Sequence, residues 1–180
     1  VYKRQMYDEN KDIVGGNATE RALLTMIDSD EYKTFTNAVE VTNRKIFNSA
    51  NKFSAVETSG KDGKVTYYKG APEKLIDAAV SYETVEGVQP IEKDKLKDIV
   101  KSYATKAMRV IATGYSKKEL PEEGFPDDLI LTSLVAIRDD VRPEVPEAVA
   151  KMHGAGVQVM MVTGDVIDTA KAIAKDAGLI

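Results

Sequence analysis

The sequence lacks cysteine and has only one histidine among its 180 residues. Without cysteine, disulfide bridges, cysteine-ligated zinc sites and thiol chemistry are excluded within this sequence. A Ser-His-Asp triad would have to use His153, because no other histidine is present. No apolar run approaches the ~20 residues that a membrane-crossing helix needs. The longest runs, such as residues 157–162, have the length of a strand.

Charge and composition narrow the class of protein further. The net charge of −4 provides no excess of basic residues, and general nucleic-acid binding needs such an excess, so no nucleic-acid partner is expected. Hydrophobic residues make up 43% and charged residues 30% of the chain, which is typical of a soluble chain that forms a core. The length fits one large domain, or one domain with part of another.

Local patterns in the first part of the chain predict locally paired strands and few helices. Asn17 with Glu20 three residues later predicts a capped helix start. Two alternating runs within Phe53–Lys69 predict a hairpin, and Pro72 predicts the start of the helix that follows it. Apolar patterns also predict a helix over about residues 91–106 and strands over residues 108–115 and 129–137.

The pattern changes near Leu134, where strands and helices begin to alternate. Residues 157–162 are almost continuously apolar and predict a buried parallel strand. Helices are predicted on both sides of it, over residues 142–152 and 166–177. A buried strand between helices is typical of a parallel α/β sheet covered on both faces. The sequence therefore predicts an α/β fold with a domain boundary near residues 130–136.

Three small or polar residues, Thr163, Gly164 and Asp165, follow this predicted strand and precede a helix. Ligands of open α/β sheets bind at the carboxyl ends of strands, and a helix N-terminus favours phosphate. Thr163 offers a hydroxyl, Gly164 permits close backbone approach, and Asp165 offers a carboxylate for a Mg²⁺ or proton network. These residues alone leave open the alternative that Asp165 only caps the helix.

The segment Arg138–Arg142 ends the preceding predicted strand, so the topology places it at the same edge of the sheet. Its two arginines and two carboxylates, those of Asp139 and Asp140, could order a nucleotide or a loop. They could equally form a solvated ion-pair loop before the next helix. The residues leave both interpretations open.

Four residues of the first part could contact an anionic or aromatic ligand. Lys69, at a strand end, could present its ammonium group to an anion, although an exposed lysine is the commoner case. Phe47 with Lys52 could stack a base and steady a phosphate chain, or Phe47 could pack in the core with Phe53. Arg109, among apolar strand residues, could be an ion-pair partner or a phosphate contact.

The order of several segments carries more information than any one of them. The segments are Gly16–Glu20, Phe47–Lys52, Lys69–Glu73, Met108–Ala112, Arg138–Glu144 and Met161–Asp165. In this order they resemble part of a P-type cation-transporting ATPase, of the type II branch that contains calcium pumps. The resemblance covers residues 13–180, and its most specific parts are the Lys-Gly-Ala-Pro-Glu and Thr-Gly-Asp motifs.

The resemblance implies two domains. An α+β nucleotide-binding (N) domain with an antiparallel sheet would occupy residues 13–132. Part of a haloacid-dehalogenase-like, Rossmannoid phosphorylation (P) domain would occupy residues 133–180. Residues 1–12 would form an N-terminal edge, whose polar and patternless first five residues could be non-native.

The resemblance also implies a function. The parent protein would couple ATP hydrolysis, through an aspartyl-phosphate, to transport of a cation across a membrane, with Ca²⁺ favoured by the motifs. ATP and Mg²⁺ would be required. The chain would be a cytoplasmic part of an integral membrane protein, with a bacterial plasma membrane as the expected location. The transported cation would bind in membrane helices that this sequence lacks.

Site roles follow from motif position under the same resemblance. The residues expected at ATP are Glu20, Phe47, Lys52, Lys69, Gly70 and Arg109. Phe47 would stack on adenine, Glu20 would accept a hydrogen bond from its amino group, and Lys69 would line the base pocket. Thr163 and Gly164 would bind the transferred phosphoryl group. Asp139 and Asp165, supported by Arg142, would organise the edge of the P domain and its nucleotide and Mg²⁺ contacts. Most Mg²⁺ ligands would lie outside this sequence.

The sequence departs from the family pattern at several places. Ser49 stands where animal calcium pumps carry an arginine that contacts phosphate, and Val166 replaces the usual asparagine or histidine. The family's phosphorylated aspartate, in an Asp-Lys-Thr-Gly-Thr motif, does not occur in this sequence. The chain is therefore expected to bind ATP without turning it over. The alternatives are the cap and partial core of a soluble dehalogenase-like phosphatase, or a nucleotide sensor.

Overall fold

The structure is a computed structural model that describes residues 6–61, 63–106, 108–138, 140–164 and 167–180. The strands are β1 (Met6–Tyr7), β2 (Ile13–Val14), β3 (Glu40–Lys45), β4 (Phe53–Gly60), β5 (Gly63–Gly70), β6 (Ser81–Thr84), β7 (Gly87–Pro90), β8 (Arg109–Ser116) and β9 (Ile130–Ile137). The helices are α1 (Ala18–Leu24), α2 (Ser29–Ala38), α3 (Pro72–Ala78), α4 (Lys93–Ala104), α5 (Val145–Gly154) and α6 (Ile167–Asp176). The predicted α/β class is confirmed.

Seven strands form one mixed sheet in the order β3-β4-β5-β8-β9-β6-β7, while β1 and β2 pair separately. Strand β4 is antiparallel to both β3 and β5, and β5 is antiparallel to β8. The sheet also contains a parallel pair, in which Ser81 of β6 lies opposite Ile130 of β9. The sequence predicted only antiparallel pairing here. A parallel pair requires a long crossover, and the chain through β7, α4 and β8 supplies it.

The chain divides into two compact units. The first comprises the residues up to Lys93 together with Ile111–Val135. The second comprises Asp94–Val110 and Ala136–Ile180. The predicted domains, residues 13–132 and 133–180, remain a prediction, because a division into compact units does not by itself define domains.

Local sequence signals explain the elements at the start of the first unit. The side chain of Asn17 accepts a hydrogen bond from the Glu20 N–H at 2.9 Å, and Glu20 accepts one from the Asn17 N–H at 3.1 Å. This reciprocal pair is the predicted capping box, and α1 begins at the next residue. The predicted hairpin also forms, in continuous register from Phe53 opposite Gly70 to Gly60 opposite Gly63.

One face of the sheet packs against an aromatic core. Phe125, in the loop between β8 and β9, lies with its ring 4.2 Å from that of Phe53 and 5.6 Å from that of Tyr68. The same loop is fixed by the buried Glu57, which accepts a hydrogen bond from the Leu120 N–H at 2.9 Å. A hydrogen bond from the Thr42 hydroxyl, at 2.6 Å, and the one from Leu120 hold the pKa of the Glu57 carboxyl below its ordinary value. The loop therefore covers one face of β4 and β5.

The strand predicted over residues 157–162 is wrong for this chain. No residue of this segment belongs to a strand, although α5 and α6 form on either side of it. Met160 and Val162 are 77% and 95% exposed. The prediction rested on apolar composition, but a parallel strand also needs a neighbouring strand to pair its backbone groups. Among the described residues no strand takes that place.

The second unit has a small core formed by helices. Val149 of α5 and Ala174 of α6 are buried, together with Ala177, which follows α6. Within the described parts of the chain, every helix is too short or too polar to cross a bilayer.

Candidate functional site

A cavity of about 830 Å³ lies in the first unit, on its large sheet. Strands β3, β4, β5, β8 and β9 all contribute lining residues, as do α1 and the segment after β3. Because side chains alternate between the two faces of a strand, the residues of the cavity floor lie in rows that run across neighbouring strands.

The first of these rows, the polar row, consists of Ser54, Lys69 and Thr113. Ser54 lies opposite Lys69, and Lys69 lies opposite Thr113, in three adjacent antiparallel strands. Directly opposite residues share one face of a sheet. The Thr113 hydroxyl continues the row to β9, where it lies 2.8 Å from the Thr132 hydroxyl. The polar row therefore places hydroxyl groups and one ammonium group on this part of the cavity floor.

The second row, the aromatic row, is displaced from the polar row by two residues in β4, β5 and β8. It runs from Arg44 through Val56 and Tyr67 to Tyr115, each opposite the next. All four residues line the cavity. Among the described residues no carboxylate forms an ion pair with Arg44. This row therefore adds two phenol rings, an isopropyl group and an unpaired guanidinium group.

Glu20 and Lys69 are far apart in the sequence, but their side chains lie next to each other at the cavity. The Lys69 Nζ lies 3.7 Å from Glu20 Oε1, while the other Glu20 oxygen accepts the capping hydrogen bond of α1. The sequence left open whether Glu20 serves the helix cap or a ligand. Its carboxylate does cap α1 and also lines the cavity, so one interpretation does not exclude the other.

Phe47 and Phe53 have different surroundings. Phe53 is buried in the aromatic core, whereas Phe47 is 58% exposed and lines the cavity. The core interpretation therefore applies to Phe53 only. Lys52, expected at the same ligand, does not line the cavity. Its Nζ lies 3.5 Å from Glu73 Oε1.

Gly70 marks a close approach between the ends of two strands. A Cβ atom at this position would lie 2.6 Å from the Lys52 carbonyl oxygen and 2.6 Å from the Phe53 Cβ. A Cβ atom essentially never lies this close to another heavy atom, so a side chain would push β5 away from β4. The next residue, Ala71, donates its N–H to the same Lys52 carbonyl oxygen at 2.9 Å. Gly70 thus fixes the strand end that carries Lys69.

The residues expected at the phosphoryl group belong to the second unit. Asp139 and Asp165 lie outside the described residues. Thr163, Gly164 and Arg142 are exposed and lie outside regular secondary structure. The described residues therefore do not assemble a phosphoryl site.

Two arginines in the second unit also bear on the expected roles. Arg109, expected at the phosphate chain, opens β8 and does not line the cavity. Arg138 forms ion pairs with Asp140, at 3.2 Å, and with Asp176. Those two pairs agree with the ion-pair interpretation of the Arg138–Arg142 loop.

Sequence reasoning found Lys69 but missed Tyr67, Tyr115, Thr113 and Arg44 in the cavity. The signal for Tyr67 was present, because residues two apart in a strand share a face, and Tyr67 precedes Lys69 by two. The other three residues come from β8 and β3, and their positions follow only from strand pairing.

Comparison with known proteins identifies the family. A family model described as the cytoplasmic domain N of P-type ATPases matches residues 2–144. The chain belongs to the P-type ATPase family. The plasma-membrane-type calcium-transporting ATPase 10 of Arabidopsis thaliana is 35% identical over 93% of this P-type ATPase chain. Calcium-transporting ATPase 2 of Schizosaccharomyces pombe is 31% identical over 98% of it.

The sodium/potassium-transporting ATPase subunit alpha-1 of the fish Catostomus commersonii is also similar, at 31% identity over 93% of the chain. The chain covers 17%, 16% and 18% of the lengths of these three relatives. It therefore spans less than a fifth of each. The resemblance predicted from the motifs is confirmed. The expected bacterial source finds no support, since these relatives are plant, fungal and animal proteins.

Proposed function

We propose that the cavity of the first unit binds ATP, and that the longer protein couples ATP hydrolysis to cation transport. One observation carries the proposal. Glu20, Phe47 and Lys69, which lie far apart in the sequence and were all expected at ATP, line a single cavity. Family membership, shown by the match over residues 2–144, supports the same ligand.

The chemistry of the cavity suits a nucleotide. The exposed ring of Phe47 offers a surface on which a base can stack. The Glu20 carboxylate can accept a hydrogen bond from the amino group of adenine. Arg44, Lys45 and Lys69 bring three positive charges to the cavity against the one negative charge of Glu20, which favours an anionic ligand.

We propose Ca²⁺ as the transported ion, because several of the relatives are named calcium-transporting ATPases. One relative is named for sodium and potassium, and the ion would bind in membrane helices outside this sequence. The chain would accordingly be a cytoplasmic part of a membrane protein. Determining the ion specificity of the longer protein, purified into vesicles, tests this part of the proposal.

For the chemical step we propose an aspartyl-phosphate intermediate formed by the longer protein. The two-step chemistry of such covalent catalysis requires a nucleophile, and this sequence holds no Asp-Lys-Thr-Gly motif. We propose Thr163 and Gly164 at the phosphoryl group, with Asp139, Asp165 and Arg142 organising its nucleotide and Mg²⁺ contacts. Lys52 is proposed at the nucleotide and Arg109 at its phosphate chain.

Mg²⁺ is not assigned to residues of this chain. Among the described residues there is no group of three or more acidic or histidine side chains that could hold a metal ion. The described residues thus do not fit a complete Mg²⁺ site. We propose that most of its ligands lie in the longer protein.

The binding proposal is tested by calorimetric titration of ATP into the chain and into Lys69→Met. Loss of a charged contact costs about 1.5–3 kcal/mol, so binding should weaken by about tenfold or more. Lys64→Met is the matched control, because Lys64 lies on the same strand but does not line the cavity. Equal ATP affinity of Lys69→Met and the unaltered chain would contradict the proposal. Because this sequence holds no Asp-Lys-Thr-Gly motif, the chain should release phosphate from ATP no faster than ATP hydrolyses in buffer alone.

A further inference from the structure

A groove of about 500 Å³ lies at the opposite end of the large sheet from β3. We call it the hairpin groove, because it is formed by the hairpin of β6 and β7 and by the residues that follow β7. The residues of its lining that matter for binding are Tyr82, Val85, Glu86, Gln89, Pro90 and Glu92. The groove shares no lining residue with the cavity proposed to bind ATP.

The hairpin groove and the ATP cavity lie on different faces of the sheet. Tyr82 lies opposite Leu131 of β9, and the next residue of β9, Thr132, lines the ATP cavity. Because successive side chains of a strand point to opposite faces, Tyr82 lies on the other face of the sheet. Gln89 lies opposite Tyr82 and shares that face. A ligand in the groove would therefore leave the ATP cavity unobstructed.

The charge of the hairpin groove is negative. Residues 81–92 include three glutamates and no lysine or arginine. Glu86 and Glu92 line the groove, and no described basic side chain does. The next residue, Lys93, donates its ammonium hydrogen to the Asp77 carbonyl oxygen instead. Among the described residues no group of three or more acidic or histidine side chains could hold a metal ion, so the two carboxylates favour an organic cation over a metal.

The remaining lining suits one kind of organic cation. Val85 is fully exposed in the turn of the hairpin, and together with Pro90 it offers apolar contact to an aliphatic stem. The Tyr82 hydroxyl donates to Glu92 Oε1 at 3.4 Å, which places an aromatic ring beside a carboxylate. A guanidinium group can stack on such a ring and form paired hydrogen bonds with such a carboxylate. The groove therefore favours arginine over lysine.

The backbone next to the groove can also take part in binding. Strand β7 is the last strand of the sheet, and within the described ranges it pairs only with β6. The open edge of such a strand can pair with an extended segment of another chain. Pro90 has no N–H to donate, and β7 has only four residues. Backbone pairing is therefore short, and the side chains of the groove have to provide most of the affinity.

We propose that the hairpin groove docks an arginine-containing basic segment of a partner protein, in extended conformation along β7. Its guanidinium group stacks on Tyr82 and pairs with Glu86 and Glu92. The net charge of the chain is −4, which disfavours a second copy of the chain as the occupant. The inference goes beyond the proposed function and does not depend on it, because the groove and the ATP cavity are separate.

The first test titrates a capped pentapeptide, Thr-Arg-Val-Arg-Thr, into the chain and follows the backbone amide shifts by NMR. Saturable shift changes should occur at Tyr82, Glu86 and Gln89, and added salt should weaken the binding. An exposed charge pair contributes up to about fivefold in affinity, so the uncharged peptide Thr-Gln-Val-Gln-Thr should bind about tenfold more weakly. The lysine peptide Thr-Lys-Val-Lys-Thr should bind more weakly than the arginine peptide, since it lacks the planar guanidinium group.

The second test changes the groove. Glu86→Gln removes one charge from the exposed turn of the hairpin and should weaken binding of the arginine peptide by about threefold to fivefold. Tyr82→Leu removes the ring and should weaken it by a similar factor. Glu83→Gln is the matched control, because Glu83 carries the same charge on the same hairpin but does not line the groove. Its effect should stay below about twofold.

The outcomes decide the inference without reference to ATP. Saturable shifts at the groove that weaken in Glu86→Gln and not in Glu83→Gln support it. Absence of shifts at the groove, equal binding of the arginine and glutamine peptides, or equal losses in Glu86→Gln and Glu83→Gln would overturn it. If the same amides shift when the chain alone is diluted, the groove binds a second copy of the chain, and the proposed partner is wrong.

Discussion

Two of the stretches predicted as strands can be compared directly, because one of them forms strands and the other does not. The Phe53–Gly70 hairpin lies between β3 and β8, so each of its strands has a partner on both sides. Residues 157–162 are at least as apolar, yet they pair with no described strand, and Val162 is 95% exposed. The difference shows that apolar composition permits a strand, whereas a strand forms only where a neighbour pairs its backbone.

The largest expected effect is on the free energy of unfolding. It distinguishes helix α3, which is buried after the hairpin, from the exposed residues 157–162. Leu75, in α3, is fully buried, so Leu75→Ala should lower the free energy of unfolding by about 3 kcal/mol through lost burial and a cavity. Val162→Ala removes apolar atoms that already contact solvent, and should change it by less than about 0.5 kcal/mol. Urea unfolding followed by circular dichroism measures both values.

A substantial loss of stability in Val162→Ala would show that residues 157–162 are packed in solution. That result would contradict the difference between the two stretches. Lys171→Ala, on exposed α6 surface, controls for general effects of substitution in the second unit.

The next effect compares two glycines. Gly70→Ala places a Cβ atom 2.6 Å from the Lys52 carbonyl oxygen, and this overpacking should cost about 2–3 kcal/mol. It should also weaken ATP binding, because Lys69 moves with the strand end. Gly164→Ala meets no atom within 4 Å and should leave stability nearly unchanged. Thermal unfolding with and without ATP measures both effects, and equal melting temperatures of the two variants would refute the proposed close approach.

The smallest effect concerns a single oxygen within the well-packed region. The Tyr68 hydroxyl is buried and has no hydrogen-bond partner among the described residues. Removing an unpaired buried polar group relieves its desolvation, so Tyr68→Phe should stabilise the fold by up to about 1 kcal/mol. Destabilisation by this substitution, measured by urea unfolding at pH 7, would show that the hydroxyl does have a partner.

The same residue gives a pH dependence with a definite sign. Burial, helped by Asp128 and Glu57, raises the pKa of Tyr68 from 10.0 to about 12. Between these values the unfolded chain releases this proton while the folded chain keeps it, so stability falls as the pH rises. The advantage of Tyr68→Phe over the unaltered chain should therefore grow from pH 10 to pH 12. An advantage that stays constant over this range would contradict the assigned shift.

The elements that the sequence predicted correctly depend on local signals. The Asn17 and Glu20 capping box, the Phe53–Lys69 hairpin and the Pro72 helix start are each specified within a few residues. Helix α2 was missed because most of its residues are polar, although Asp28 caps it and Asp30 lies in its first turn.

The other features that were missed or wrong depend on distant pairing. The parallel contact of β6 with β9, and the positions of Tyr115 and Arg44 in the cavity, follow from strand order, which local patterns do not encode. Residues 157–162 also show that local composition does not determine strand pairing. Their composition suits a strand, but no partner strand occurs among the described residues. The motif resemblance identified Lys69 and Phe47 as candidates, but could not place the residues that surround them.

The central claim is that the cavity of the first unit binds ATP, and backbone amide NMR of the chain titrated with ATP tests it most directly. The largest shift changes should occur at Glu20, Phe47 and Lys69 and along the polar and aromatic rows. The amides of residues 157–162 should serve as an internal reference with small changes. Saturable shifts at the cavity residues are the predicted result. Absence of shifts there at millimolar ATP, or larger shifts at residues 157–162, would contradict the claim.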